Sequence, residues 1–354
     1  MRVALHRIFR KKVLLWICLL FLFGSLKVFS MYITEKYYPQ YKYIDSWVEE
    51  SSSLSEEHLS NYVSQLAQKV NSDEQYRKTV GQDFSAFLKS YENRTFIRNL
   101  ISFARNGQGV LSSKIPDDFE NLQVFYRDLD VPSVINEQPL TRYFFLQSIN
   151  IVPIIILLLC ALIWGEHYEQ GIYRATSSTL RGDCYHKTVD ITLISLGVCF
   201  LTVNELFDLW YSGLLKYGYI WKCSVQSYNY FRYSQLQSSI GTVLLISFTS
   251  KLIGILGLSF LGMLIAQWKK SVRESVIWAM LILIVLLFIG KAFENTKFYS
   301  IIQIGIIDWK YLISKITILE PLQLNTLVLG LLLTFFITVI FYCYLVLRRL
   351  QKKQ

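Results

Sequence analysis

The residues of this chain that could carry out chemistry are few and scattered. There are four histidines and six cysteines, and no two cysteines have the CxxC spacing that is typical of a metal or redox site. The sequence contains no GxxxxGK[ST] phosphate loop, no G-x-S-x-G and no H-E-x-x-H. We therefore predict a protein that is not an enzyme, with no catalytic residue, no metal ligand and no cofactor on this chain.

One charged residue stands out because of where it lies. Lys251 falls near the middle of a long apolar run, and a charge inside the membrane marks a candidate functional site. Two interpretations are open. Either Lys251 lines a substrate path or pairs with an acid of another helix, or it lies in a watery vestibule of a tilted or broken span. Asp190 and Glu205 flank the preceding apolar run, but both lie too near its ends to match Lys251 in depth.

The composition identifies the elements that must position such residues. The chain has 354 residues, of which 53% are hydrophobic and 18% are charged, whereas soluble domains carry about a quarter charged residues. The apolar residues form runs of about 20, long enough to cross a bilayer as helices. We therefore predict an all-α polytopic membrane protein. The net charge of +10 comes from basic clusters beside these runs, which set orientation, so we expect no nucleic-acid partner.

The apolar runs predict six transmembrane helices in a cell membrane, with both termini cytoplasmic. The spans are 13–32, 143–164, 188–206, 239–267, 275–290 and 325–347. Residues 1–12 form a basic cytoplasmic N-terminus, and residues 142–354 form a five-helix transmembrane domain. Charges interrupt segment 291–324, so it is predicted to be an outer re-entrant or interfacial segment. This count places every basic cluster in the cytosol.

Helical signals also dominate residues 33–141, which we predict to be an extracytoplasmic helical domain between spans one and two. Ser53 and Glu56 fit a capping box. Three apolar stripes with helical spacing follow, at 59–70, 76–91 and 96–103. They are interpreted as the core of a small domain, with a ligand-binding surface as the alternative.

Two further stretches carry local predictions. In the fourth span, small residues indicate close helix packing; they are Gly241, Gly254, Gly257 and Gly262. Residues 207–238 are rich in Trp and Tyr, which is typical of an outer membrane interface.

The second and third spans are joined by a polar hairpin, residues 165–187. Its sequence from Glu166 to Lys187 is EHYEQGIYRATSSTLRGDCYHK. It predicts a short helix from Gln170 to Thr176, then a turn and a return to the membrane. Such a helix could dock into a groove of a soluble partner. The alternative is an ordinary polar loop, anchored by Arg181 and Lys187 near lipid phosphates.

The pattern E-x-x-E-x-G, S-T, R-G and a Lys at the next span resembles the first intracellular loop of type-2 ABC exporter permeases. The matching positions are Glu166, Glu169, Gly171, Ser178, Thr179, Arg181, Gly182 and Lys187. The six-span layout is similar too. The sequence departs from the family at Ile172, where a Thr often follows the Gly, and its basic start is too short for a long amphipathic entry helix.

The resemblance implies a permease subunit that moves an amphipathic substrate such as a peptide, a lipid-like compound or a drug. The hairpin would couple to a cytosolic ABC ATPase subunit, which would hold the ATP and Mg. A second permease subunit, identical or related, and the lipid bilayer would be the other partners. The competing hypothesis is a non-transporting membrane sensor or immunity protein, in which residues 33–141 bind an extracellular ligand.

Overall fold

The structure is a computed structural model that describes residues 14–37, 41–106, 126–147, 151–179, 182–232, 237–292 and 322–351. These residues are mostly helical and contain no strand, in agreement with the predicted all-α class. The predicted N-terminal segment 1–12 lies outside the described residues. So do Arg181 and residues 293–321 of the predicted re-entrant segment.

The described residues form eleven α-helices. In chain order they are α1 (Leu14–Tyr37), α2 (Ile44–Ser52), α3 (Glu56–Ser72), α4 (Glu74–Asn106), α5 (Gln138–Gln147), α6 (Val152–Glu169), α7 (Ile172–Ser177), α8 (Gly182–Tyr211), α9 (Ile240–Lys269), α10 (Val272–Ala292) and α11 (Leu322–Gln351). Most helices in the apolar half of the chain extend several residues beyond the predicted spans. An α-helix needs apolar side chains only where it meets lipid, so its backbone hydrogen bonds can continue into the polar residues that flank the apolar run.

Helices α6 and α8–α11 form a bundle around α9, which packs against each of the other four. In the described part, three stretches are long and apolar enough to cross a membrane: Gln138–Glu169, Cys184–Tyr211 and Ile240–Lys269. Large apolar side chains are exposed on the outward faces of α1, α8, α10 and α11, among them Phe21, Leu22, Ile191, Val203, Trp210, Met280, Phe288, Phe335, Phe336 and Ile340. A surface of this kind suits lipid rather than water.

Close packing on α9 depends on its glycines, as the sequence predicts. A Cβ placed on Gly262 would lie 2.7 Å from the carbonyl oxygen of Leu157 in α6. A Cβ on Gly257 would lie 2.8 Å from Oγ1 of Thr338 in α11. At both positions only glycine lets the neighbouring helix come so near, and the prediction of close approach is confirmed there.

Helices α2, α3 and α4 form a separate helical region with its own core, built around Trp47, Leu59, Val63, Phe84 and Phe87. The second and third apolar stripes lie on one continuous helix, α4, because neither Gly nor Pro interrupts the chain between them. The predicted capping box is wrong. Ser53 is the C-cap of α2, and Glu56 instead accepts hydrogen bonds from Arg94 and Arg98 of α4.

Between the helical region and the bundle lies an aromatic cap, which we define as residues 212–232 and 237–239. It contains four single-turn 3₁₀ helices. With α5 it forms an apolar cluster that includes Tyr143, Phe144, Tyr228 and Phe231. The Asn93 side chain of α4 donates to the carbonyl oxygen of Gln226 at 2.8 Å, which ties the helical region to the cap. The hairpin leads into the start of α8 and the cap follows its end, so the two lie at opposite ends of the bundle.

Candidate functional site

Buried charges from three apolar helices meet just below the aromatic cap. Lys27 comes from α1, Glu205 and Asp208 from α8, and Lys251 from α9; each of these four residues is at most 7% exposed. They come from three different helices that lie far apart in the chain, so tertiary packing brings them together. We call these four residues, with Gln147 of α5, the charge network.

The first ion pair joins α1 to α8. Nζ of Lys27 lies 2.8 Å from Oδ2 and 3.0 Å from Oδ1 of Asp208. It also donates to Oδ1 of Asn204 at 2.9 Å. Three acceptors therefore surround this ammonium group, which compensates in part for the cost of removing it from water.

The second ion pair joins α9 to α8. Nζ of Lys251 lies 2.7 Å from Oε1 of Glu205, and Oε2 of Glu205 accepts from the Tyr143 hydroxyl at 2.9 Å. The expectation that Glu205 and Lys251 differ too much in depth is wrong. Helix α8 continues past the predicted end of its span to Tyr211, so Glu205 lies inside the helix. The long side chains of both residues cover the remaining difference.

Gln147 connects the two ion pairs. Its Nε2 donates to Oε2 of Glu205 at 3.0 Å and to Oδ2 of Asp208 at 2.9 Å. Its Oε1 accepts from Lys251. The two cations and two anions cancel, and each carries several hydrogen bonds, so the network is electrically neutral and well satisfied. Within the described residues, no group of three His, Cys, Asp or Glu side chains is placed to hold a metal.

At the other end of the bundle, the hairpin contains a short helix, as the sequence predicts, but it begins after Gly171 and not at Gln170, which caps the end of α6. The short helix is α7, Ile172–Ser177. Tyr173 is buried and stacks on His186 of α8, with ring centroids 4.6 Å apart and planes 10° apart. The Thr176 hydroxyl lies 2.8 Å from Nε2 of His186. Trp164 of α6 packs against both rings. These contacts hold α7 against the bundle, while Arg174, on its other face, is exposed.

Both glycines of the hairpin motif are required by geometry. Gly171 has φ +66°, a left-handed conformation that ends α6 and starts α7. Gly182, at the start of α8, lies so close to the carbonyl group of Thr176 that a Cβ would collide with it. The turn between α7 and α8 is therefore tight.

The polar residues of the motif have different surroundings. Glu169 accepts a hydrogen bond from the backbone N–H of Val272 at 2.7 Å, so it stabilises the start of α10. Ser178 and Thr179 are exposed, and their hydroxyls bond to carbonyls of α7. Lys187 is exposed and Glu166 half-buried. The structure thus places Ser178 and Thr179 at the surface of the hairpin, and Glu169 in a structural contact.

A third ion pair, which is partly buried, lies near the hairpin. Arg349 of α11 pairs with Asp190 of α8, and its guanidinium lies 4.6 Å from the ring centroid of Trp164. Trp164 therefore contacts α7, α8 and α11 at once. The sequence identified Asp190 as a flanking acid but gave no partner for it.

Sequence reasoning missed most of the charge network. Lys27 lies within the first apolar run, so the argument that singled out Lys251 applies to it equally. Gln147 and Tyr143 carry no such signal, because single neutral polar residues are common near the ends of membrane helices. Comparison of the chain with protein-family models, with curated proteins and with solved structures finds no match.

Proposed function

We propose that this chain is the permease subunit of an ABC exporter, moving an amphipathic substrate across a cell membrane. The observation that carries the proposal is the hairpin: a short helix, α7, joins two long apolar helices and is pinned to them by buried Tyr173. Arg174 on its outer face is exposed, and so are Ser178 and Thr179, which follow the helix. A helix anchored in this way suits the transfer of force from a soluble partner.

The proposal includes six spans, cytoplasmic termini and an extracytoplasmic helical region. In this arrangement the helical region and the charge network lie toward the outside, and α7 lies in the cytosol. A cytosolic ATPase subunit would bind ATP and Mg and seat on α7, and a second permease subunit would complete the path. ATP can drive transport only through a contact whose free energy differs between two states of the permease. Helix α7 is our candidate for that contact.

The experiment is co-purification of the chain from its native host in mild detergent, with identification of the associated proteins. The informative variant is Arg174→Glu, which reverses an exposed charge on α7. Glu169→Ala is less informative because it also removes a hydrogen bond from the start of α10. The matched control is Lys216→Glu, which reverses an exposed charge in the aromatic cap, at the opposite end.

We expect a nucleotide-binding subunit to co-purify with the wild type and with Lys216→Glu, and to be depleted with Arg174→Glu. If no nucleotide-binding protein accompanies the wild type, the permease proposal is wrong. In that case the sensor hypothesis is preferred, and ligand binding by the helical region is the next property to measure. If the subunit binds all three forms equally, α7 is not the contact.

A further inference from the structure

Few of the described side chains of helix α1 are buried against the rest of the protein. Of its side chains that the structure describes, only Lys27 and Met31 are buried, one helical turn apart. Phe21 is 77% exposed. The helix packs on α5, and Lys27 adds hydrogen bonds to Asn204 and Asp208 of α8. The attachment of α1 is therefore centred on a single buried ion pair.

The helix that carries Gln147 is tied to the helical region at its other end. Just before α5, the backbone N–H of Ile135 donates to the Ser90 hydroxyl of α4 at 3.0 Å. Next to it, Nδ2 of Asn136 donates to Oδ1 of Asp45 in α2 at 2.7 Å. A ten-residue helix is stiff, so a displacement of the helical region moves Gln147 with it.

The position of Gln147 matters to both ion pairs. It donates one hydrogen bond to Glu205 and one to Asp208, and withdrawing it leaves two buried carboxylates each short of a donor. An unsatisfied buried charge is costly, and the cost falls if the site opens and admits water. Since the described buried side chains of α1 lie on a single helical turn, separation of α1 would expose few of them.

We propose that Gln147 is a link through which the helical region determines whether α1 is docked on the bundle, and that the Lys27–Asp208 pair is the contact that opens. The helical region holds α5, α5 positions Gln147, and Gln147 completes the donor set of Asp208. The Gln147 side chain also donates to Glu205, which pairs with Lys251 of α9, so it is linked to the position of α9 as well. The proposal stands on these contacts and does not depend on the permease function.

The experiment is hydrogen–deuterium exchange of the full chain in detergent, read by mass spectrometry on peptides from α1, α6 and α11. Exchange reports local opening, so release of α1 raises exchange in its peptides alone. Two variants probe the link: Gln147→Leu removes both donors, and Asn136→Ala loosens α5 from α2 without touching α1. Two others probe the ion pair: Lys27→Asp alone, and Lys27→Asp with Asp208→Lys.

The matched control is Arg349→Gln, which breaks the partly buried ion pair at the other end of α8. It is expected to raise exchange in α11 and to leave α1 unchanged. If Lys27→Asp does not fold, Lys27→Met takes its place, because it removes the ion pair without burying a second acid.

We expect Gln147→Leu and Lys27→Asp to speed exchange in α1 by about tenfold or more while α6 keeps its protection. The first leaves two buried carboxylates each short of a donor, and the second removes one partner of a buried ion pair. Asn136→Ala should act in the same direction with a smaller effect. The charge swap should restore protection. The proposal is wrong if Gln147→Leu or Asn136→Ala leaves α1 at the wild-type rate. It is also wrong if the swapped pair exchanges as fast as the single variant.

Discussion

Replacing Lys251 with methionine tests whether this residue is a structural partner of Glu205 or a free charge on a substrate path. In the structure Nζ of Lys251 donates to Glu205 and to Gln147, and the two ion-pair side chains are 9% and 6% exposed. Removing one partner of such a pair costs about 3–5 kcal/mol. Glu205 keeps hydrogen bonds from Tyr143 and Gln147, so we expect a loss of about 3 kcal/mol, at the lower end of that range.

The assay is thermal unfolding in detergent of four forms: wild type, Lys251→Met, Glu205→Gln, and the double variant. Each single variant should melt well below the wild type. The double variant should recover most of the loss, because it leaves no uncompensated charge in the bundle. Lys270→Met, at an exposed position just after α9, is the control and should melt like the wild type. The reasoning is refuted if Lys251→Met melts like the wild type, or if the double variant is no more stable than the singles.

Two further predictions concern packing and pH. Gly262→Ala should destabilise the bundle by about 1–3 kcal/mol, because its Cβ would overlap α6, whereas Gly24→Ala, with no neighbour within 4 Å, should be neutral or stabilising by about 0.5–1 kcal/mol; the measurement is thermal unfolding, and equal effects would contradict the packing. The pKa of Glu137 is raised from 4.5 because burial disfavours its charged form. The hydrogen bond from the backbone of Asn229 and the positive charge of Lys89 act in the opposite direction but are smaller. The charged form is thus disfavoured in the fold, so stability contributed by this group is lost as pH rises from 4.5 through its folded pKa. Glu137→Gln should flatten that decline in an unfolding series across pH, and an unchanged profile would contradict the assignment.

Much of the architecture follows from apolar runs and small residues in the sequence. Long apolar runs predict the helices that build the bundle, and Gly257 and Gly262 predict where other helices approach α9. The hairpin helix is also predictable, since Gly171 allows the left-handed turn that starts it. These features are local, and each depends on a residue type whose conformational or steric consequence is nearly independent of the rest of the chain.

The pairings within the charge network are not local, and this is why sequence reasoning misjudged them. Whether Glu205 can reach Lys251 depends on where α8 ends, how the two helices are staggered and how far each side chain extends. A count of residues from the end of an apolar run fixes none of these. The capping box failed for a related reason: Glu56 has a stronger partner in Arg94, which lies 38 positions away in the chain.

Helix α8 carries an ion-paired acid toward each end, and the two acids hold different helices. Asp208 holds α1 below the aromatic cap, and Asp190 holds α11 beside the hairpin. The rings that pin α7, those of Trp164 and His186, lie at the Asp190 end, and Trp164 also contacts Arg349. A displacement of α7 therefore acts directly on α8 and α11, and it reaches α1 only if α8 moves as a rigid body. The Asp190 pair thus couples α8 to α11 beside the hairpin, and the Asp208 pair couples α8 to α1 below the cap. Each pair can be removed by mutation without changing the other.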